Sequence, residues 1–106
     1  MTAPPRPNVQ ALLDLDRVVH EPARLAILTV LSSAEEVEFK FLETALGLTR
    51  GNLSSHTAKL EEAGYLTVEK SFRDRIPVTT YRITPAGRAA LQGYRKALLE
   101  GVRGGG

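Results

Sequence analysis

The sequence contains no cysteine and only two histidines among its 106 residues. Without cysteine, disulfide bonds, thiolate metal sites and cysteine nucleophiles are excluded. With only two histidines, no set of nucleophile, base and orienting group can be assembled, and the sequence has no glycine motif that would cradle a phosphate. These absences predict that the protein is not an enzyme and that it carries no cofactor.

Long apolar segments are also missing. No run approaches the roughly 18 apolar residues that a membrane span needs, and the N-terminus shows no basic segment followed by an apolar one, as a secretory signal would. We therefore expect a cytoplasmic protein without a membrane partner.

The charge is small overall but unevenly distributed. The net charge is +2, yet residues 1–48 carry −3, residues 49–88 carry +3 and residues 89–106 carry +2. At 42% hydrophobic residues, the chain has the composition and length of one globular domain. Basic charge concentrated in one part of a small domain is the distribution expected of a nucleic-acid-binding protein.

Both ends are predicted to be tails, with one domain at 9–100 between them. Residues 1–8 contain three prolines and almost nothing to bury, so they should be disordered. Residues 101–106 are rich in glycine and should form a flexible tail. Within the domain, apolar residues recur every three or four positions from Val9 to Val19, which predicts an amphipathic helix. A second helix, from Pro22 to Ser33, is apolar nearly all round and should be central.

The middle of the chain predicts a helix, a tight turn and a second helix. A short strand within residues 35–39 and a helix stopped by Gly47 come first. The next helix has Thr49 as a plausible N-cap and Gly64 as the residue that can take a positive φ at its end. One face of this helix is directed to a core. Its residues are Leu53, Thr57, Leu60 and Ala63 or Gly64. The opposite face is short and polar, and it comprises Asn52, Ser55, Lys59 and Glu62.

Two strands and a last helix follow. Leu66, Val68 and Phe72 alternate with polar residues in the first strand. Thr79, Tyr81 and Ile83 do so in the second strand, and a charged turn over residues 73–77 lies between the two. Thr84 and Pro85 then form an N-cap and a first helical position, opening a helix to about Leu99. The predicted fold is mainly α with a small antiparallel β-hairpin wing, a winged helix-turn-helix.

Three segments resemble known bacterial regulators. The segment from His20 to Leu28 resembles the second-helix signature of ArsR-type regulators, and the segment from Asn52 to Leu66 resembles the recognition helix shared by ArsR- and MarR-type proteins. The segment Thr80–Arg88 is similar to the wing-exit motif of MarR and related small winged-helix regulators. The resemblance implies a transcriptional regulator that binds double-stranded DNA as a homodimer, with an inverted repeat as its site. The cysteine clusters of metal-sensing ArsR members are absent, so the usual effector is not expected, and a small-molecule effector is left open.

The resemblance also implies a DNA-binding set. Short amide and hydroxyl side chains suit close approach to base edges, and cationic side chains suit phosphates. The residues on the recognition helix are Arg50, Asn52, Ser54, Ser55, His56 and Lys59, and those on the wing are Lys70, Arg73 and Arg75. For His56 the alternative is a histidine that packs between helices. Arg24 could reach a phosphate or pair with Glu21 or Asp14.

Two further proposals stand beside the DNA-binding set. Asp16 and His20 could share a helix face as half of a metal site, but two ligands are too few to predict one. The terminal helices carry more apolar surface than one small domain can easily bury, which predicts a dimer interface. Its residues are Leu12, Leu13, Leu91, Tyr94 and Leu98, with Leu15 and Leu99 on the same stripes. The alternatives are that the two helices pack on each other within one subunit, and that the domain binds a protein partner instead of DNA.

Overall fold

The structure is a computed structural model that describes residues 8–103. Its elements follow one another as five helices and three strands, namely α1 (Val9–Leu13), α2 (Pro22–Ser32), β1 (Val37–Glu38), α3 (Phe39–Leu46), α4 (Arg50–Glu62), β2 (Leu66–Arg73), β3 (Ile76–Ile83) and α5 (Pro85–Arg103). The three strands form one antiparallel sheet in the order β1-β3-β2. The predicted fold class, a mainly helical winged helix-turn-helix with a β-hairpin wing, is confirmed.

Helix α2 lies at the centre of the core, as its apolar sequence predicted. Ile27, Leu28 and Leu31 are completely buried. They belong to one cluster with residues from all three strands, from α3, α4 and α5 and from the turn before α2, including Val19, Val37, Leu42, Leu53, Leu60, Leu66, Tyr81, Leu91 and Tyr94. The wing and the recognition helix are therefore held by the same core.

Helix α1 is shorter than predicted, because it ends at Leu13 and not at Val19. Beyond it, the Asp16 carboxylate accepts hydrogen bonds from the backbone N–H groups of Val18 and Val19, at 2.8 and 3.1 Å. An aspartate that binds nearby backbone donors competes with helix formation. The resulting turn still buries Leu15 and Val19 in the core.

The structure corrects the predicted tails at both ends of the domain. Asn8 caps α1, because its side chain accepts a hydrogen bond from the N–H of Ala11. At the other end, α5 continues through Gly101 to Arg103, three residues beyond the predicted domain boundary. A Cβ at Gly101 would lie 2.4 Å from Leu12, so this glycine lets α1 pack closely on α5. The remaining tail residues, 1–7 and 104–106, lie outside the described part of the chain.

The wing is longer and its turn tighter than predicted. Arg73 pairs with Ile76, so only Asp74 and Arg75 form the turn, and both have positive φ angles, 50° and 69°. Two successive residues with positive φ are what a two-residue hairpin turn requires. Pro77 lies within β3 opposite Phe72. Hydrogen-bonded and non-hydrogen-bonded residue pairs alternate along an antiparallel ladder. The pair that flanks the two-residue turn is hydrogen-bonded, so the next pair, Phe72 and Pro77, needs no N–H at residue 77.

Candidate nucleic-acid interface

Residues next to both ends of α4 cap the helix. The Thr49 hydroxyl accepts a hydrogen bond from the N–H of Asn52 at 3.1 Å. At the other end Gly64 has a φ of 81°, and the N–H groups of Gly64 and Tyr65 donate to the carbonyls of Glu61 and Leu60, each at 2.9 Å. These two bonds are the pattern of a Schellman motif. The predicted N-cap and terminating glycine are both confirmed.

The two faces of α4 differ as predicted. Leu53, Thr57 and Leu60 are buried, whereas Asn52, Ser55, Lys59 and Glu62 are exposed. Ala63 and Gly64 are exposed as well, so their prediction as core residues was wrong. They follow the last helical residue and belong to the turn that ends the helix.

Thr57 is the polar residue on the buried face, at a position where the resemblance leads one to expect an apolar side chain. Its hydroxyl lies 3.0 Å from the Leu53 carbonyl and 3.1 Å from that of Ser54, and the Tyr81 hydroxyl is 3.4 Å away. A buried hydroxyl with such partners does not carry the penalty of an unpaired polar group. The Thr57 hydroxyl is therefore satisfied within the core.

The first turn of α4 carries cationic and neutral groups only. Arg50 is exposed, and its guanidinium lies over the Phe39 ring at 5.7 Å from the centroid. No acidic residue occupies the first turn, and the two glutamates of α4, Glu61 and Glu62, lie at its other end. Helix N-termini attract anions through their unpaired N–H groups and the helix dipole. The N-terminal half of α4 is thus the half suited to approach a phosphate backbone.

His56 has partners within the protein. A guanidinium nitrogen of Arg24 lies 3.2 Å from its Nδ1, and an oxygen of Glu21 lies 3.5 Å from the same atom. These contacts favour the packing role that the sequence left open for His56, between α4 and the start of α2.

Arg24 is held mainly by backbone carbonyls. Its Nε donates to the carbonyl of Val18 at 2.6 Å and its second guanidinium nitrogen to that of Arg17 at 3.4 Å. Glu21 caps α2 by accepting the N–H of Arg24 at 2.8 Å. Burial raises the pKa of Glu21, but the hydrogen bonds from Arg24 and Ala23, with the charges of His56 and Arg24, outweigh it and leave that pKa below its ordinary value.

The predicted wing cations do not share one environment. Lys70, Arg73 and Arg75 are all exposed, but the Arg73 guanidinium donates to the carboxylate of Glu38, next to α3. With the residues that the structure describes, Lys70 and Arg75 form no ion pair. Arg82, nearer the core, pairs with Glu36 at 3.0 Å and Glu35 at 3.6 Å. The acidic stretch before α3 therefore neutralises two of the hairpin cations.

A groove of roughly 580 Å³ separates the wing from α3 and α4, a volume in the range of small-molecule sites. Its apolar wall includes Phe39, Val68 and Tyr81, and its cationic residues are Lys40, Arg50, Lys70 and Arg73. Ser54 opens into it, on the side of α4 next to the wing. Residues from five separate elements line this groove, so sequence patterns did not predict it.

The two candidate metal ligands have other partners. One oxygen of Asp16 caps the turn before α2, and the other accepts the Tyr65 hydroxyl. The Nδ1 atom of His20 lies 2.9 Å from the Tyr94 hydroxyl. From residue 8 to residue 103, no three His, Asp or Glu side chains are grouped as a metal site would need.

The residues predicted for the dimer interface separate into two groups. Leu91 and Tyr94 are buried within the subunit, at 1% and 6% exposure, and Leu15 is buried with them. Leu12 and Leu98 are half-buried against the same core. Four apolar residues of the terminal helices remain exposed, namely Val9, Leu13, Leu99 and Val102. The alternative of packing within one subunit thus accounts for the buried group. Among residues 8–103, no helix is long and apolar enough to cross a membrane.

The chain is similar to known proteins both in sequence and in fold. The family model of the winged helix DNA-binding domain matches residues 23–102. An uncharacterized protein from Methanocaldococcus jannaschii is 36% identical over 84 residues, which are 79% of this chain and 91% of that protein. A solved transcriptional regulator homologue from Pyrococcus horikoshii is 30% identical, with a TM-score of 0.78 over 84% of this chain and 90% of its own. A solved possible transcriptional regulator for arsenical resistance is 29% identical, with a TM-score of 0.64 over 81% and 84% of the two chains.

Proposed function

Because this chain belongs to the family of winged helix DNA-binding domains, we propose that it is a transcriptional regulator that binds double-stranded DNA sequence-specifically. The predicted relationship to winged-helix regulators of the MarR and ArsR type is confirmed by the solved relatives. The observation that carries the proposal is the exposed polar face of α4, which the core holds beside a basic wing.

Helix α4 enters the major groove with its N-terminal half. Asn52 and Ser55 are exposed there and carry the donors and acceptors that read base edges. Arg50 and Lys59 flank them and bind phosphates, while Glu61 and Glu62 keep the C-terminal end away from the backbone. Ser54 lies on the side toward the wing, and His56 orients the helix from behind.

The wing contacts the flanking backbone or minor groove through its tip. Arg75 lies in the two-residue turn at the end of the hairpin, and Lys70 lies on β2, three residues before the residue that flanks this turn. Neither is paired with an acidic residue in the described part of the protein. Arg73 joins them only when its contact with Glu38 is exchanged for a phosphate.

Replacing Glu38 by glutamine is expected to raise DNA affinity a few-fold. The pair is exposed, with 66% of the Arg73 side chain and 36% of the Glu38 side chain accessible, and such pairs contribute only about 0–1 kcal/mol. Stability should therefore change little, while Arg73 becomes available and a carboxylate near the phosphates is lost. Titrations at several salt concentrations should also show a steeper slope of the logarithm of affinity against the logarithm of salt concentration, by up to about one released ion.

Glu36→Gln is the matched control for this prediction, since it makes the same charge change beside Arg82, which keeps Glu35 as a partner at 3.6 Å. If both variants raise affinity equally, the effect is one of overall charge and Arg73 has no special part. A fall in affinity in Glu38→Gln alone would mean that the ion pair positions the wing for binding.

The proposed assembly is a homodimer that binds an inverted repeat. The exposed apolar residues of α1 and α5, Val9, Leu13, Leu99 and Val102, form its interface. This assignment replaces Leu91 and Tyr94, which are covered within the subunit, and Leu12 and Leu98, which are half-buried against its core, and it retains Leu13. Terminal helices that carry the interface leave the two copies of α4 on one side of a duplex. Occupancy of such a site blocks other proteins, so the proposed outcome is repression.

Selection of bound fragments from the source genome tests this proposal. The recovered fragments should share an inverted repeat whose half-sites are about 10 to 11 base pairs apart, one turn of the double helix. Binding to a scrambled repeat of the same composition serves as the control. Recovery of fragments without a shared sequence would count against specific binding.

The second candidate function is that of a protein-binding module. It is favoured by three exposed apolar side chains on α3 and the wing, Phe41, Phe72 and Ile76, at 57%, 75% and 60% exposure. An exposed group of this kind can serve as an interface. The groove between the wing and α4 also has room for a small organic effector, which would displace DNA from the same face.

A further inference from the structure

The segment Thr84–Arg88, at the start of α5, packs against the turn that ends the recognition helix α4, and we infer that it fixes the angle between these two helices. We call it the junction. Given the proposed homodimer, on which this part of the inference rests, the junction sets the separation of the two recognition helices and so the spacing of half-sites that the protein accepts. Its residues belong to the motif that resembles the wing exit of small regulators, and their contacts give that motif a mechanical role.

Thr84 binds both helices at once. Its hydroxyl donates to the Gly64 carbonyl at 2.6 Å and accepts from the N–H of Gly87 at 2.9 Å, which caps α5. Its own N–H donates to the Tyr65 carbonyl at 3.1 Å. Gly64 and Tyr65 form the turn that ends α4, so two of the three hydrogen bonds at Thr84 reach that turn and the third caps α5.

Gly87 lets the two backbones meet. It is buried, and a Cβ at this position would lie 2.1 Å from the Tyr65 carbonyl oxygen and 2.9 Å from Ile83. Glycine inside a helix costs about 0.5–1 kcal/mol relative to alanine. Its presence in the first turn of α5 is therefore explained by the close approach of the turn that ends α4.

Two further contacts hold the junction against the rest of the core. Arg88 donates to the Ser32 carbonyl at 3.0 Å, which satisfies a carbonyl at the C-terminal end of α2. Tyr65 donates its hydroxyl to Asp16 in the turn between α1 and α2. That hydrogen bond, with burial and the Asp16 charge, raises the pKa of Tyr65 to about 12. Rotation of α4 relative to α5 would have to break several of these contacts together.

The angle matters because α5 is long. With 19 residues it extends about 28 Å, so a change of about 5° at the junction moves its far end by roughly 2 Å. Leu99 and Val102 lie at that far end and belong to the proposed dimer interface. A small change at the junction therefore becomes a change in the distance between the recognition helices of a dimer.

The first test measures the angle without DNA. Because the chain has no cysteine, Ser55→Cys and Lys96→Cys place one nitroxide on α4 and one on α5, and dilution with unlabelled chain restricts the signal to one subunit. Gly87→Ala must separate the Tyr65 carbonyl from α5 by about 1 Å, so the mean distance between the labels should shift or its distribution should broaden. Gly93→Ala is the matched control. It lies on the same helix with nothing within 4 Å of its Cβ, and it should change nothing.

The second test uses DNA whose half-site separation varies by one or two base pairs. Gly87→Ala should lose about tenfold on the spacing that the wild type prefers, regain affinity on another spacing, and bind a single half-site as well as before. Gly93→Ala should keep the wild-type spacing. An equal loss on half-site and full site would overturn the inference, since it would mean that Gly87 only stabilises the fold.

Where Gly87→Ala fails to fold, Thr84→Val takes its place, because it removes the hydroxyl that joins α4 to α5 and keeps the shape of the side chain. It should broaden the distribution of label distances, whereas Thr84→Ser should not. An unchanged distribution in a folded Gly87→Ala or Thr84→Val variant overturns the inference whatever the DNA results are. Failure of the wild type to bind any inverted repeat would instead contradict the proposed function, and the label distances would still decide whether the junction fixes the angle.

Discussion

Replacing Asn52, Ser55 and Arg75 together by alanine is expected to lower affinity for the selected DNA site by about 100- to 1,000-fold. A good base contact contributes about 1–3 kcal/mol, and about 1.4 kcal/mol corresponds to a factor of ten. All three side chains are exposed, and none of them belongs to the hydrophobic core. The melting temperature should therefore stay close to that of the wild type while binding falls.

The three substitutions should differ in kind when made singly. Asn52→Ala and Ser55→Ala should relax the preference for particular bases, whereas Arg75→Ala should weaken binding to all sequences and reduce the salt slope by about one. Thr44→Ala, Thr67→Ala and Lys96→Ala together form the control, since these residues are also exposed but lie outside the predicted DNA-binding set. If the first triple variant keeps full DNA affinity and loses a protein partner instead, the protein-binding module is the better account.

Disruption of the proposed dimer is expected to lower affinity for the inverted repeat by about 100-fold and to leave affinity for one half-site unchanged. Linking two binding sites typically raises affinity by about 10²–10⁴, and this gain is lost when the subunits separate. Leu13→Glu with Val102→Glu is the suitable pair, because these side chains are 69% and 61% exposed and glutamate can be accommodated without loss of core packing. Leu98 is less suitable, since it packs against the core of its own subunit.

Sedimentation at micromolar concentration decides this prediction. The wild type should sediment as a dimer and the double glutamate variant as a monomer with the same helical signal. Leu13→Gln with Val102→Gln controls for the added negative charge, and it too should dissociate. A wild type that already sediments as a monomer would show that the interface proposal is wrong.

Local signals were sufficient where a structural feature depends on neighbours in sequence. Thr49 and Gly64 predicted the ends of α4, because a hydroxyl cap and a positive φ satisfy backbone groups within one helical turn. The spacing of Leu53, Thr57 and Leu60 predicted the buried face for the same reason.

Local signals failed where a partner comes from far along the chain. The pattern from Val9 to Val19 is helical, yet Asp16 interrupts it by binding the backbone of Val18 and Val19, while its other oxygen is bound by Tyr65, 49 residues away. The charged residues 73–77 suggested a wide turn, but strand pairing narrowed it to Asp74 and Arg75. Strand length depends on register with the partner strand, and the charge pattern of one strand does not contain that information.

The sequence by itself determined the order of the elements, the capped ends of α4, its polar face and the basic character of the second half of the chain. These are properties of periodicity, capping and composition, which each segment carries alone. Tertiary structure decided how individual side chains are used. His56 contacts Arg24 from 32 residues away, Arg73 contacts Glu38 from 35 residues away, and Leu91 and Tyr94 are covered within their own subunit. An apolar stripe or a charged residue indicates that a side chain will be buried or paired. Which residue becomes its partner depends on the packing of the whole chain.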